Sequence, residues 1–290
     1  MGVTAVVLAA MAAVGWGASD YFGGDASRAE VPVFVVVAVA ELIGVALLVP
    51  VLIARGVAPP ANPRLLLAVV AGVTVTIELS LIYRALSNGQ AFITAPVGAL
   101  GSVFAVAVGL TGGERLGPVV AVGLSCAVAG GCISSWSSAA DAGESSGRTP
   151  KAILTCLAAA AAVGATLSCL HAAAQVDPYW AAAIMHLSTG ASAAGAAAVA
   201  TKGPLRSLVP DRARLPKLAL IAVVGVVGDV AYAIASHRGA LAIVAAVSSL
   251  YPVTTIALGR LLGRSHPTRF QLAGIVLGLC GGAVLGAATG

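Results

Sequence analysis

Charged residues are scarce in this sequence of 290 residues. Asp, Glu, Lys and Arg make up 9% of the chain and hydrophobic residues 59%, whereas soluble domains carry about 25% charged residues. A soluble core has no room for that much apolar surface, so we expect lipid to be the solvent for most of the chain. The net charge of +5 is explained by basic loops on a membrane protein and requires no nucleic acid partner.

Several signals of catalysis and cofactor binding are also missing. The five cysteines are odd in number, form no Cys-x-x-Cys pair and lie in apolar runs, which argues against a disulfide framework or a zinc site and favours packing roles. The chain has no Gly-x-x-x-x-Gly-Lys run for ATP, which disfavours a primary pump. For an enzyme acting on lipid, the local candidate for a nucleophile and base is Ser168 or Cys169 near His171, and no orienting acid accompanies it. We expect no enzyme activity, no cofactor and no metal.

Long apolar runs, by contrast, are abundant. A bilayer core needs about 20 apolar residues per helical span. The first run has no Lys or Arg before it, unlike a secretory signal, and we expect it to be a retained helix. Backbone polar groups in lipid must pair within their own segment, which predicts helices rather than strands. Ten membrane helices are predicted, at approximately 3–22, 33–54, 65–86, 91–111, 118–136, 151–174, 179–200, 216–236, 241–262 and 268–288.

The sequence also repeats itself. Shifted by 150 positions, residues 83–113 match residues 233–263 at Ala85/Ala235, Gly89/Gly239, Ile93/Ile243, Ala95/Ala245, Val97/Val247, Leu100/Leu250, Val103/Val253, Ala107/Ala257, Gly109/Gly259 and Gly113/Gly263. We interpret this as an internal duplication, with five-helix units at 1–137 and 151–290 and a linker loop at 138–150. Because five is odd, the units must enter the membrane from opposite sides. The fold class expected is therefore an all-α integral membrane protein of two inverted five-helix repeats.

Short motifs occur in order along both halves. They are Trp16-Gly17, Tyr83-Arg84-Ala85-Leu86 with Gly89, Gly113-Glu114-Arg115-Leu116 with Gly123, Ser249-Leu250-Tyr251-Pro252, and Gln271-Leu272-Ala273-Gly274 with Gly281. As a set they resemble the drug/metabolite transporter superfamily, specifically the ten-helix type with two EamA domains. The second half has Arg264-Ser265-His266 where the first has Glu114-Arg115, so we expect Glu114 to cap a helix start rather than to take part in coupling.

The resemblance implies a secondary-active transporter in a bacterial cytoplasmic membrane. It would move a small organic solute, such as an amino acid, another metabolite or a drug-like compound, more often by export. A non-transporting scaffold or sensor component is the alternative. The connections after helices 1, 3, 5, 7 and 9, with their flanks, hold 12 of the 16 Lys and Arg, which places both termini outside the cytoplasm. The resemblance implies termini inside, and the orientation stays open.

Four ionisable residues stand out within the apolar runs, where such groups are costly and mark function by default. They are Glu41 in helix 2, Glu78 in helix 3, His186 in helix 7 and Asp229 in helix 8. At about 1.5 Å per residue, the two glutamates lie about 12 Å from one membrane face, and the other two about 10 Å from the opposite face. This mirrored arrangement is expected if all four line one cavity. Carboxylates that take up a proton on one side and release it on the other would couple transport to protons.

Structural roles remain open for these residues. In such roles, Glu78 is a buried carboxylate hydrogen-bonded to Thr74 one turn earlier. Glu41 extends to the membrane surface or pairs with a backbone group. His186 is a neutral histidine hydrogen-bonded to a buried acceptor. Trp16, Tyr232 and Tyr251 are candidates for stacking on a substrate, or they fill space.

Two prolines predict helix breaks, Pro252 at the middle of helix 9 and Pro96 early in helix 4, because proline removes an amide and clashes with the carbonyl four residues earlier. Small residues predict close packing of helices 5 and 10, within the fold or in a homodimer; these are Gly123, Ala127 and Gly131 with Gly274, Gly278 and Gly282.

Overall fold

The computed structural model of the protein describes residues 3–27, 32–87, 94–134, 150–201, 212–262 and 267–289. These residues form helices and short connections, without a strand among them. Short 3-10 helices at Pro63–Leu65 and Arg212–Arg214 lead into α3 and α8. The α-helices are α1 (Val3–Ser27), α2 (Val33–Arg55), α3 (Leu66–Ser87), α4 (Thr94–Thr111), α5 (Pro118–Ser134), α6 (Pro150–Ala174), α7 (Pro178–Thr201), α8 (Leu215–Arg238), α9 (Leu241–Ser248), α10 (Tyr251–Leu261) and α11 (Arg269–Thr289).

The helical membrane architecture predicted from composition is confirmed. Two shorter apolar helices, Leu100–Thr111 and Pro118–Ser134, correspond to predicted helices 4 and 5. Residues 88–93, where helix 4 was expected to begin, and the linker predicted at 138–150, except Pro150, lie outside the described residues. Eight described stretches are long and apolar enough to cross a membrane: Val3–Gly23, Val33–Arg55, Pro63–Ile82, Ile153–Ala174, Pro178–Ala200, Arg212–Arg238, Leu241–Leu261 and Arg269–Ala288.

The interior is built mainly from small residues, whereas large aliphatic side chains face outward. Ala9, Ala68 and Ala181 belong to the main buried cluster at 0% exposure, while Ile53 and Val199 are 74% and 80% exposed. In water this distribution would be unfavourable, but lipid tails are as apolar as these side chains. Small residues in turn let helix backbones approach closely.

The two halves of the chain make the same helix pairings with their roles exchanged. The packing of α1 against α8 has its counterpart in α3 against α6, and that of α2 against α8 in α3 against α7. Likewise, α4 packs against α6 as α1 packs against α9 and α10. Such exchange is what a two-fold relation between the halves produces.

Helices of equal rank in the two halves pack antiparallel. Along α2 and α7, Leu42 faces Gly190 at one end of the contact, and Arg55 binds Asp177 at the other. Along α5 and α11, Gly123 lies against Gly281, and Gly130 lies further back along α11 against Gly278 and Gly274. The predicted close packing therefore joins these two helices within one molecule, but Gly130 and Gly281 form the contact in place of the predicted Gly131 and Gly282, and Gly282 faces Leu250.

Candidate functional site

A histidine lies between two carboxylates where α2, α7 and α8 meet. Nδ1 of His186 is 2.5 Å from Oε2 of Glu41, and its Nε2 is 3.3 Å from Oδ2 of Asp229, an ion-pair distance outside hydrogen-bond geometry. The side chain of His186 is 2% exposed and those of Glu41 and Asp229 are 21% and 13% exposed. Glu41 is thus the most accessible member of this central cluster (Glu41, His186 and Asp229).

Aromatic side chains connect the central cluster to α1 and α6. The indole N–H of Trp16 donates to Oδ1 of Asp229 at 2.8 Å, and the Trp16 ring lies 5.2 Å from that of Tyr232 between centroids. The Tyr232 hydroxyl donates to the carbonyl of Leu167 at 2.9 Å, and Tyr232 is fully buried. Both aromatic residues singled out in the sequence at this depth therefore have partners within the protein.

Glycines allow the helices of the cluster to approach this closely. A Cβ at Gly44, one turn beyond Glu41, would lie 3.0 Å from Nδ1 of His186 and 2.9 Å from Cγ2 of Val226. A Cβ at Gly228 would lie 2.7 Å from Cδ1 of Trp16. Small residues at these two positions leave the space that the imidazole and the indole occupy.

Glu78 does not join the central cluster. The charge of Asp20 of α1 acts on Glu78, and the charges of Asp20 and Glu78 both act on Tyr251 of α10. The Thr74 hydroxyl, considered above as a partner of Glu78, instead bonds with the Thr166 hydroxyl at 2.7 Å. The pair of Glu41 and Glu78 expected at one depth is thus divided between two separate groups, because Glu41 turns towards α7 and α8 while Glu78 acts with Asp20 of α1 on Tyr251 of α10.

Predicted helix 9 is divided in two. After α9 ends at Ser248, the turn at Ser249 and Leu250 leads into α10, in which Pro252 is the second residue. Proline is tolerated at this position because an amide in the first turn would have no partner within the helix. The hydroxyls of Ser248 and Ser249 donate to carbonyls of the preceding turn. Pro96 is the third residue of α4 as described.

The short connections at 56–62, 112–117, 175–177 and 239–240 lie together at one end of the bundle, here called the short-connection face. Both guanidinium nitrogens of Arg55 bind the Asp177 carboxylate, at 2.7 and 3.0 Å, and Arg55 lies 4.3 Å above the Tyr179 ring. The Trp180 indole donates to the carbonyl of Val57 at 3.0 Å. This contact and the ion pair join the first half of the chain to the second.

Asp177 also caps α7. Its Oδ1 accepts from the amides of Tyr179 and Trp180, each at 2.9 Å. Burial alone would raise the pKa of Asp177, but the hydrogen bond from Arg55 and those from the two amides outweigh it, and the pKa lies below its ordinary value. Sequence reasoning missed this site, although Asp177-Pro178 is a helix-start signal.

Glu114 caps a helix in the opposite half. Its two carboxylate oxygens accept from the amides of Leu241 and Ala242, at 2.6 and 3.0 Å, at the start of α9. The helix-capping role expected from the sequence is present, but the helix is α9 rather than α5. A negative charge is favourable at this position because the first amides of a helix have no partner within it.

The described residues contain no group of three His, Cys, Asp or Glu side chains that could hold a metal ion. Comparison with curated proteins finds no match. A solved structure titled "Crystal structure of protein" is 21% identical with a TM-score of 0.78, and the alignment covers 98% of this chain and 96% of that one. At this identity the likeness shows the fold.

The profile of the EamA-like transporter family matches the chain twice, over residues 3–136 and 150–287. Together the two matches cover nearly the whole sequence. Members of this family are membrane transporters, part of the drug/metabolite transporter superfamily. The chain belongs to the EamA-like transporter family and is an integral membrane protein.

Proposed function

We propose that the protein is a secondary-active transporter that exports a small organic solute across a bacterial cytoplasmic membrane in exchange for protons, by alternating access. The observation that carries the proposal is the central cluster. Ionisable groups within membrane helices are retained mainly where they serve substrate or proton pathways. Here three of them meet, with one contributed by the first half of the chain and two by the second.

The architecture proposed is two inverted five-helix repeats, residues 1–137 and 151–290, joined by a linker at 138–150. The antiparallel packing of equal-rank helices supports it. A two-fold axis that relates two antiparallel helices runs across them, and hence in the plane of the membrane that they span. Secondary transporters built in this way place their site where the repeats meet, as the central cluster does.

Alternating access requires contacts that form in one state and break in the other. The contacts of Arg55 with Asp177, Trp180 with Val57, and Glu114 with the start of α9 all join the two halves at the short-connection face. We propose that they close this face in the state described here. Rocking one repeat against the other would separate them.

The central cluster provides a way for a proton to bias that motion. An ionised Glu41 accepts a charge-assisted hydrogen bond from His186, which holds α2 against α7. Protonation of Glu41 would remove the charge and weaken this bond. Because α2 and α7 come from different repeats, the protonation state of one carboxylate would then favour one arrangement of the repeats over the other.

The remaining candidates are proposed to line the route of the solute. Glu78 and Tyr251 are partly exposed and come from different halves of the chain, with Asp20 nearby. The Tyr251 hydroxyl lies against Gly98 of α4. Trp16 and Tyr232 would form the aromatic wall between this route and the short-connection face.

The test is solute flux in proteoliposomes that contain only this protein, under an imposed pH gradient, with a panel of amino acids and cationic drugs. The expected result is gradient-driven accumulation of at least one solute that collapses when the gradient is dissipated. Facilitated flux unaffected by the gradient would overturn the coupling. No flux of any solute above that of empty liposomes would favour a scaffold or sensor role instead.

A further inference from the structure

An imidazole that the central cluster does not use lies on α6 near the short-connection face. His171 is one turn beyond Leu167, the residue whose carbonyl accepts the Tyr232 hydroxyl. On the adjacent α8, Asp229, Tyr232 and Ser236 follow one another at intervals of one turn. From Asp229 to Ser236 the helix advances about 10 Å, which takes it from the central cluster to the level of His171.

Nδ1 of His171 and Oγ of Ser236 are both buried, and neither makes a hydrogen bond of normal geometry to a described residue, although Oγ of Ser236 lies close enough to the Tyr232 hydroxyl to act on it. Ser236 is fully buried. Buried polar groups are nearly always satisfied, by protein or by ordered water. A small ligand able both to donate and to accept hydrogen bonds is therefore expected here, and water meets that description.

Gln175 determines where His171 carries its proton. The Gln175 amide nitrogen donates to the carbonyl of Ser236 at 2.6 Å, which fixes the orientation of the amide. The same nitrogen lies 3.4 Å from Nε2 of His171. Because an amide nitrogen only donates, Nε2 is the acceptor and the neutral ring carries its proton on Nδ1. As long as Gln175 stays in place, it opposes a second proton on the ring.

An acid of the α4–α5 connection lies close to the imidazole and to Tyr232. The charge of Glu114 acts on both His171 and Tyr232. Nδ1 of His237 donates to the carbonyl of Ala174, at the end of α6. These contacts place three titratable groups near His171: Glu114 from the α4–α5 connection, and Tyr232 and His237 from α8.

We propose that His171 is a second proton-carrying residue, which exchanges protons with the central cluster through water beside Tyr232 and Ser236 and with bulk water at the short-connection face. Nε2 of His171 accepts the proton when Gln175 moves away, and the same atom releases it to water. In the present state the route is interrupted, because Tyr232 packs against Trp16 and its hydroxyl donates a hydrogen bond to the carbonyl of Leu167. This inference rests on the proposed proton coupling.

The tautomer of His171 can be measured without knowing the substrate. Full-length protein labelled with ¹⁵N and ¹³C at histidine is placed in lipid nanodiscs, and His171→Gln assigns the signals. The expected result at pH 7 is a neutral ring protonated on Nδ1, which takes up a proton at higher pH in Gln175→Met than in the wild type. A ring protonated on Nε2 in the wild type, or an unchanged titration in Gln175→Met, would overturn the proposal.

The functional arm compares gradient-driven flux in His171→Gln and His237→Gln proteoliposomes, with the same panel of amino acids and cationic drugs. We expect His171→Gln to lose at least tenfold in gradient-driven flux while retaining solute exchange at equal pH, and His237→Gln to match the wild type. Wild-type coupling in His171→Gln overturns this inference; if Glu41→Gln still loses coupling, the proposed function stands. Wild-type coupling in both His171→Gln and Glu41→Gln overturns the proposed function as well.

Discussion

Glu41 and His186 occupy the same rank in two antiparallel helices: each is the ninth residue of its helix, α2 or α7, and the side chains meet at 2.5 Å. This hydrogen bond therefore lies at the contact between the two halves of the protein. We propose that this hydrogen bond, with Glu41 ionised and His186 donating, is one of the contacts that hold the halves together. A single proton on Glu41 would then act on the contact between the repeats.

Removing the imidazole should destabilise the protein more than removing the whole pair. His186→Gln leaves Glu41 and Asp229 without their shared partner, and we expect a loss of about 3 kcal/mol, the lower end for breaking a buried ion pair. In Glu41→Gln/His186→Gln the unpaired charge of Glu41 is gone, so the loss should be smaller. Unfolding in detergent measures both. A double variant that loses as much stability as His186→Gln, or more, would contradict the predicted coupling between Glu41 and His186.

Gly44→Ala should push α2 away from His186, because a Cβ there meets the imidazole and Val226. We expect a loss of about 1–3 kcal/mol, typical of overpacking, and weaker coupling to the pH gradient. Gly195→Ala is the matched control on α7, since a Cβ at Gly195 meets nothing within 4 Å. It should be neutral or stabilising by about 0.5–1 kcal/mol, as expected for alanine in a helix. Similar losses in both variants would rule out the packing argument.

The ion pair at the short-connection face should be detectable as a pH dependence of stability. The pKa of Asp177 is lowered in the folded protein, so its contribution is present above the unfolded pKa of about 3.9 and is lost as the pH falls through the folded pKa. Asp177→Asn keeps a helix-capping side chain but removes the charge. We expect it to be less stable by about 1 kcal/mol at neutral pH.

Thermal unfolding of the wild type and Asp177→Asn between pH 3 and pH 8 checks this expectation. The difference between the two curves should narrow towards the acid end. A constant difference across the range would mean that the charge of Asp177 contributes nothing and that only its shape matters.

The sequence predicts the membrane architecture well because composition and run length determine it. It also identifies Glu41, His186 and Asp229, since ionisable groups buried in lipid need partners within the bundle. The separation of Glu78 from them was not predictable by counting residues along straight helices. Such counting gives depth, whereas the direction in which a side chain points depends on helix rotation and tilt, and these are set by packing.

The contacts at the short-connection face depend on tertiary structure. Arg55 and Asp177 are 122 positions apart and each reads as an ordinary charge near a helix end. A cap signal at Asp177 places its carboxylate at the start of α7 but does not reveal the arginine opposite. Similarly, Glu114 is recognisable as a helix-capping residue, while the helix that it caps lies in the other half of the chain.

The most direct test of the account compares Glu41→Gln with Glu78→Gln in proteoliposomes, using the pH-gradient dependence of solute flux as the readout. Glu41→Gln should lose that dependence, because a neutral side chain cannot alternate between charged and uncharged states. Glu78→Gln should keep it and alter only the apparent affinity for the solute. Full gradient dependence in Glu41→Gln would contradict the assignment of proton coupling to the cluster between the repeats.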